Sequence, residues 1–229
     1  PQWRHIPILF ITAMTDEASL VRGFDVGGSD YVTKPFRSRE LLARVRIQVE
    51  YRRAMEKLRR MAITDDLTGI HNRRAFFELA ADLFGRARQD GTGLAALMID
   101  IDHFKTINDR FGHAVGDDAL RHVVEAIGAA LPTDALLGRL GGEEFAVLIT
   151  ERTDDMAAVL AESLRSAIAR VRLDGVATGL EMSASIGIGH ASEGAADLDA
   201  LLRLADNRLF QAKRDGRNRV RDATRKPHR

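Results

Sequence analysis

Residues 94–102 read Leu-Ala-Ala-Leu-Met-Ile-Asp-Ile-Asp. From Leu94 to Ile101 the run is almost wholly apolar, with no polar alternation, so it predicts a central strand covered on both faces. The run closes on Asp100-Ile101-Asp102, which places carboxylates where a core strand meets a loop. A second signal lies downstream. Ala135–Leu140 and Phe145–Ile149 flank Gly141-Gly142, the pattern of a β-hairpin, and Glu143-Glu144 follow the two glycines directly.

Working outward, helical stripes surround these strands. Phe76, Leu79, Ala80, Leu83 and Phe84 mark one helix. Leu120, Val123, Val124, Ile127 and Leu131 mark a second, and Met156, Val159, Leu160, Leu164, Ala167, Ile168 and Val171 a third. Glu181–Gly189 reads as a strand and Leu198–Ala212 as the last helix. Helices and hairpins therefore share one sheet, an α/β (α+β) domain in layers over residues 64–222. The stretch after Arg217 is basic and is expected to fray, with 223–229 as a tail.

Upstream, residues 1–37 carry two short strands, Ile8–Thr12 and Asp30–Pro35, around a helix from Asp16 to about Gly27. Residues 38–63 form a long linker helix that Ser38 can cap. Leu41, Leu42, Val45, Val49, Leu58 and Met61 stripe it, interrupted around Arg52 and Arg53. That stripe suits pairing with a twin helix in a dimer, and equally suits packing on its own domain.

Composition excludes several classes. A formal net charge of +1 over 229 residues gives no strong pull toward nucleic acid or acidic membranes. One Trp and two Tyr supply little base-stacking surface. The absence of Cys rules out disulfides and thiolate metal sites. No run approaches the length of a membrane span, so a cytoplasmic protein is expected. Neither nucleic acid nor a membrane is expected as a partner of this fragment. The chain begins at Pro1 without Met, so a native N-terminus further upstream is expected.

Buried carboxylates are costly unless something neutralises them. Oxygen ligands few in number, completed by water and phosphate, suit Mg²⁺, with Mn²⁺ as a substitute; solvated loop-end charges are the plainer alternative. In the segment Phe104–Asp118, Asn108 and Asp117 are short polar residues able to read a guanine edge, because a carboxylate accepts from its N1 and N2 hydrogens. Asp117 alone reads as readily as an N-cap for a helix beginning at Asp118. Lys213 and Arg217, at the end of the last helix, suit the helix dipole or a triphosphate.

Five motifs occur in order: Asp65-x-Leu-Thr-Gly-x-x-Asn-Arg-Arg, Asp100-Ile-Asp-His-Phe-Lys-x-x-Asn-Asp, Phe111-Gly-His-x-x-Gly-Asp, Arg139-Leu-Gly-Gly-Glu-Glu-Phe and Ala205-Asp-x-x-Leu-x-x-Ala-Lys-x-x-Gly-Arg-Asn. Together they resemble the diguanylate cyclases, the GGDEF domains. The resemblance implies a central antiparallel sheet flanked by helices, like the palm of nucleotide cyclases and polymerases. It implies condensation of two GTP into cyclic di-GMP by a homodimer. It implies that Asp100, Glu143 and the Ile101 carbonyl hold the metal, and that Glu143 takes the proton from the ribose 3′-hydroxyl. Asn108 and Asp117 would grip guanine with His113 nearby. Main-chain groups at Phe104 and Lys105, with Lys213 and Arg217, would hold phosphates, and Asp102 is read as structural. A domain that binds GTP or cyclic di-GMP without catalysis is the alternative.

Two departures stand out. The family's inhibitory Arg-x-x-Asp site falls here on Pro132-Thr133-Asp134-Ala135, so product inhibition through it is not expected. Leu140 stands where an aromatic is common, with little effect expected. Residues 1–37 resemble the back half of a response-regulator receiver, with Thr12, Tyr31 and Lys34 matching its switch threonine, switch aromatic and phosphate-contacting lysine. That resemblance implies an upstream histidine kinase as partner of the full-length protein.

Overall fold

In a computed structural model the chain is described over residues 6–13, 21–22, 24–151, 155–173 and 180–223. It divides into two compact units, Pro1–Ala62 and Ile63–Arg229. In the first, β1 (Leu9–Thr12) pairs in parallel with β2 (Asp30–Thr33), Leu9 opposite Asp30 and Thr12 opposite Thr33. Half of the helix expected from Asp16 to about Gly27 lies outside the described residues; Val21, Arg22, Phe24 and Asp25 are helical. α1 (Ser38–Ile63) follows and buries no residue. Ser38 is its first helical residue rather than its cap, because the Leu41 amide already donates to the Arg37 carbonyl.

The second unit is built on a five-stranded sheet in the order β4-β5-β3-β6-β7. β3 (Gly93–Ile101) lies at its centre, antiparallel to β5 (Glu144–Glu151) on one side and β6 (Ala184–His190) on the other. β4 (Leu136–Gly141) extends the sheet beyond β5, and β7 (Val220–Arg221) runs parallel to β6. The helices are α2 (Arg73–Asp90), α3 (Phe104–Phe111), α4 (His113–Ala130), α5 (Met156–Ala169) and α6 (Leu198–Arg214).

The unbroken apolar run of β3 has a direct cause. Ala95, Leu97, Ile99 and Ile101 face a cluster with α3, α4 and α5, including Leu120, Val123, Ile127, Leu164 and Ile168. Leu94, Ala96 and Met98 face the opposite cluster with α2 and α6, including Phe76, Phe84, Leu201 and Leu209. Successive strand residues point to opposite faces, and both faces are dry, so polar alternation would leave unpaired groups in the core. The result is a helix–sheet–helix sandwich. α6 lies hard against β6: a Cβ on Gly187 would stand 2.1 Å from the Ala205 carbonyl oxygen.

Three boundaries differ from the sequence reading. β6 begins at Ala184 rather than Glu181 because Ala184 pairs with Ile101, the last residue of β3. Residues beyond Arg217 do not all fray: Val220 and Arg221 join the sheet. The hairpin turns at Gly142 and Glu143, since Gly141 still pairs with Glu144 across an irregularity after Arg139.

Candidate active site

β3, the central strand, delivers Asp100 near its C-terminal end, beside the β4–β5 turn. Asp100 lies opposite Glu144, and the Ile101 amide donates to the Glu143 carbonyl at 3.3 Å. The Asp100 side chain is only 9% exposed and meets the Lys213 ammonium at 2.6 Å. Burial pushes the Asp100 carboxyl above its ordinary range; Lys213 opposes that, and Glu143 and Glu144 push it further up. Asp100 is thus a carboxylate whose neighbours do not fully support its charge. Ile101 is buried, Glu143 half-buried and Glu144 exposed.

The donor set at this point is all oxygen: the carboxylates of Asp100 and Glu143 with the main chain between them. It fits a hard divalent cation that keeps water and substrate oxygens in its shell. Among the described residues no three His, Asp or Glu side chains form a group able to hold a metal ion.

α3 starts just past Asp102. His103 precedes it with a left-handed backbone (φ 58°), and its side chain makes no cap hydrogen bond to the amides that open the helix. Uncapped amides at a helix start favour anions. Phe104 is buried and Lys105 exposed. Asn108, half-buried on α3, packs directly over Gly116 of α4; a Cβ there would lie 1.9 Å from Asn108 Oδ1. Gly116 thereby brings Asn108 beside the residue that precedes Asp117. The N-cap reading of Asp117 fails, because α4 already begins at His113 and Asp117 sits a turn inside it. Asp117 and His113 are both exposed. Arg217 follows α6 with a left-handed backbone (φ 61°) and an exposed side chain.

A profile of the diguanylate cyclase GGDEF domain matches residues 62–219. The chain belongs to this family. The response regulator PleD of Caulobacter vibrioides is 37% identical over 228 residues, covering 95% of the chain and 50% of that protein. The chain thus spans about half the length of this curated relative. Among solved structures, the coiled coil and GGDEF domain of DgcB from Caulobacter crescentus in complex with c-di-GMP superposes with TM-score 0.72 at 32% identity. It covers 82% of the chain and is itself covered completely. The active GGEEF domain of a diguanylate cyclase from Vibrio cholerae superposes with TM-score 0.63 at 31% identity, over 68% of the chain and 98% of that structure. It shares the Gly-Gly-Glu-Glu-Phe wording of residues 141–145.

Two supporting arrangements in this GGDEF domain escaped the sequence reading. Arg139 donates through Nε and Nη2 to the Gly142 carbonyl at 2.9 and 2.8 Å, and through Nη1 to Asp65 at 2.9 Å. Asp65 also accepts from the Thr68 amide and hydroxyl. Its carboxyl is held below the ordinary range: burial works against this, and the bonds from Thr68 and Arg139 outweigh it. Arg139 thus pins the backbone one residue before Glu143. The second arrangement surrounds Asp102, whose carboxylate accepts from the hydroxyls of Ser183 and Ser185 and from the Asn218 amide. The motifs containing Asp65, Asp102, Arg139 and Asn218 were visible; that they meet in pairs across the fold was not.

Proposed function

We propose that the chain is an active diguanylate cyclase that condenses two GTP molecules into cyclic di-GMP with release of two pyrophosphates. The observation that carries this reading is the under-compensated carboxylate of Asp100, buried beside the Glu143–Glu144 turn and touched by Lys213. Such a charge is retained where a cation and phosphates complete it. Neither a metal-binding nor a guanine-reading position of the family pattern is replaced, which favours an enzyme over a non-catalytic binder.

Asn108 and Asp117 receive guanine, with His113 beside them, and the Asp117 carboxylate accepts from the base. The amides of Phe104 and Lys105, with the cations of Lys213 and Arg217, hold the triphosphate. Glu143 accepts the proton of the 3′-hydroxyl as that oxygen attacks the α-phosphorus of the second GTP, and pyrophosphate departs. Mg²⁺, or Mn²⁺, held by Asp100, Glu143 and the Ile101 carbonyl, would neutralise charge building on the phosphoryl oxygens. One unit offers one guanine site, so two copies must face each other across a two-fold axis.

The residues before 63 fit a receiver-derived input in a cytoplasmic response regulator. The parallel β1–β2 pair presents Thr12 and Tyr31 on neighbouring strands, with Lys34 just past β2. A histidine kinase would act on the full-length protein. No helix among the described residues is long and apolar enough to cross a membrane.

The test is incubation with GTP and Mg²⁺ while cyclic di-GMP and pyrophosphate are followed against chain concentration. Product rising more steeply than linearly, and falling at least about a hundredfold in Glu143→Gln, is expected. Bound GTP with no product at any concentration, even with the chain fused to a forced dimer, would overturn the proposal in favour of a binding module.

A further inference from the structure

The two aspartates at the end of β3 are both buried, yet they are treated differently. Asp100 meets a single cation. Asp102 is saturated: Oδ1 accepts from Ser185 Oγ at 2.7 Å, and Oδ2 accepts from Ser183 Oγ at 2.8 Å and from the Asn218 amide at 2.9 Å. Two of these donors belong to the neighbouring strand region. The third lies in the segment after α6, far away in sequence.

That segment has an unusual backbone. Gly216, Arg217 and Asn218 have φ of 110°, 61° and 46°. Left-handed conformation is unfavourable for side chains such as arginine and persists only where surroundings over-determine it. Besides a local bond from Arg219 Nε to the Arg217 carbonyl at 2.9 Å, three ties hold it here. The Arg217 amide donates to the Ala212 carbonyl at 3.0 Å, Arg165 of α5 donates to Asn218 Oδ1 at 2.7 Å, and Asn218 N–H donates to Asp102. Among these, the Asp102 bond alone runs to the strand that carries Asp100.

We infer that Asp102 is a positioning residue for triphosphate binding, its carboxylate holding the Asn218 amide so that Arg217 keeps the left-handed turn that presents its guanidinium. The inference rests on the reading that Lys213 and Arg217 hold phosphates. The segment is laced to β3 at two points, Lys213 to Asp100 and Asn218 to Asp102, with Arg217 between them. When Lys213 turns to a triphosphate its tie to Asp100 is released. The Asp102 tie makes no demand on the substrate and stays. The paired aspartates thus divide the work, one meeting incoming charge and one keeping the cationic segment in register.

The test compares affinities for GMP and for a GTP analogue with a methylene bridge between the α- and β-phosphorus, in Mg²⁺. In Asp102→Asn an amide NH₂ competes with the donors it must face. The preference for the analogue over GMP should fall about tenfold or more, the scale of one charge-assisted contact, while GMP affinity is unchanged. Ser185→Ala, which leaves the Asn218 bond in place, should lower the urea midpoint and leave the preference intact. A folded Asp102→Asn chain with an unchanged preference overturns the inference, provided Arg217→Ala does lower it. If Arg217→Ala also changes nothing, it is the phosphate-binding reading that fails. Hydrogen exchange on the unmutated chain gives a second check: the Asn218 amide should stay protected with the analogue bound, and exchange at the rate of an open loop refutes the tie.

Discussion

His190 provides a stability prediction with a definite sign. It ends β6, only 4% exposed, with Nδ1 3.0 Å from Glu151 and Nε2 2.9 Å from Asp222. Its amide donates to Glu193, which is paired in turn with Arg208 of α6. The bonds to Asp222 and then Glu151 outweigh burial and raise the imidazole from 6.5 to about 10. The folded state therefore keeps this proton well above the pH at which an unfolded histidine releases it. The stabilisation is complete below pH 6.5 and is lost as pH rises through about 10. Between pH of about 7.5 and 9.5 the folded chain holds one proton more than the unfolded chain from this group. The unfolding free energy should then fall by about 1.4 kcal/mol per pH unit, and by roughly 4–5 kcal/mol across the whole interval. Ordinary histidines titrate below this window and lysines above it, so the slope is diagnostic. Urea denaturation followed by circular dichroism at several pH values measures it, and His190→Gln should remove it. A flat urea midpoint over that window, or a slope that survives in His190→Gln, refutes the reasoning.

Other expectations concern the hairpin, the helix seat and the product. Arg139→Ala frees the Gly142 carbonyl and leaves Asp65 with Thr68 alone; turnover should fall about a hundredfold, with GTP affinity changed much less, as steady-state kinetics beside direct binding would show. Gly187→Ala forces a methyl onto the backbone of α6 and should cost about 3 kcal/mol or more, read from urea denaturation. Cyclic di-GMP at micromolar concentration should leave turnover unchanged, because Pro132 and Ala135 cannot supply the guanidinium and carboxylate of the inhibitory site; suppression of the initial rate would contradict this.

Much of the fold was legible because burial on two faces writes an unmistakable pattern. Leu94–Ile101 has no polar interruption, and the stripes around Val123 and Leu164 keep helical spacing. What escaped was what depends on partners far apart in sequence. Arg139 and Asp65 are separated by 74 residues and Asp102 and Asn218 by 116, and nothing local to either says that they meet. The same holds for the tail. Basic composition after Arg217 suggested fraying, yet Val220 pairs with Ile186 and Asp222 is held by His190. Asp117 misled in another way: it has the chemistry of a cap, but Gly112 closes α3 and opens α4, which begins at His113, five residues before the expected start at Asp118.

The candidate site was picked out by residue type, and the structure adds which charges are settled. Asp65 is answered by Arg139 and Thr68, Asp102 by two hydroxyls and an amide, and His190 by two carboxylates. Each of these groups is satisfied within the fold and braces something. At the tip of β3 the balance is different. Asp100 is buried, Glu143 and Glu144 raise the cost of its charge, and one mobile-stemmed lysine opposes them. A fold that answers Asp65, Asp102 and His190 internally, and leaves negative charge concentrated at the end of β3, has placed that imbalance where ligands can correct it. Under the proposed reading a divalent cation would answer the carboxylates, and phosphates would answer the amides and Arg217. Each would then need the other, since no three acidic or histidine side chains among the described residues converge to hold the cation alone, and the phosphates would otherwise face Asp100. That mutual dependence is the physical reason to expect the metal and GTP to bind together rather than in sequence.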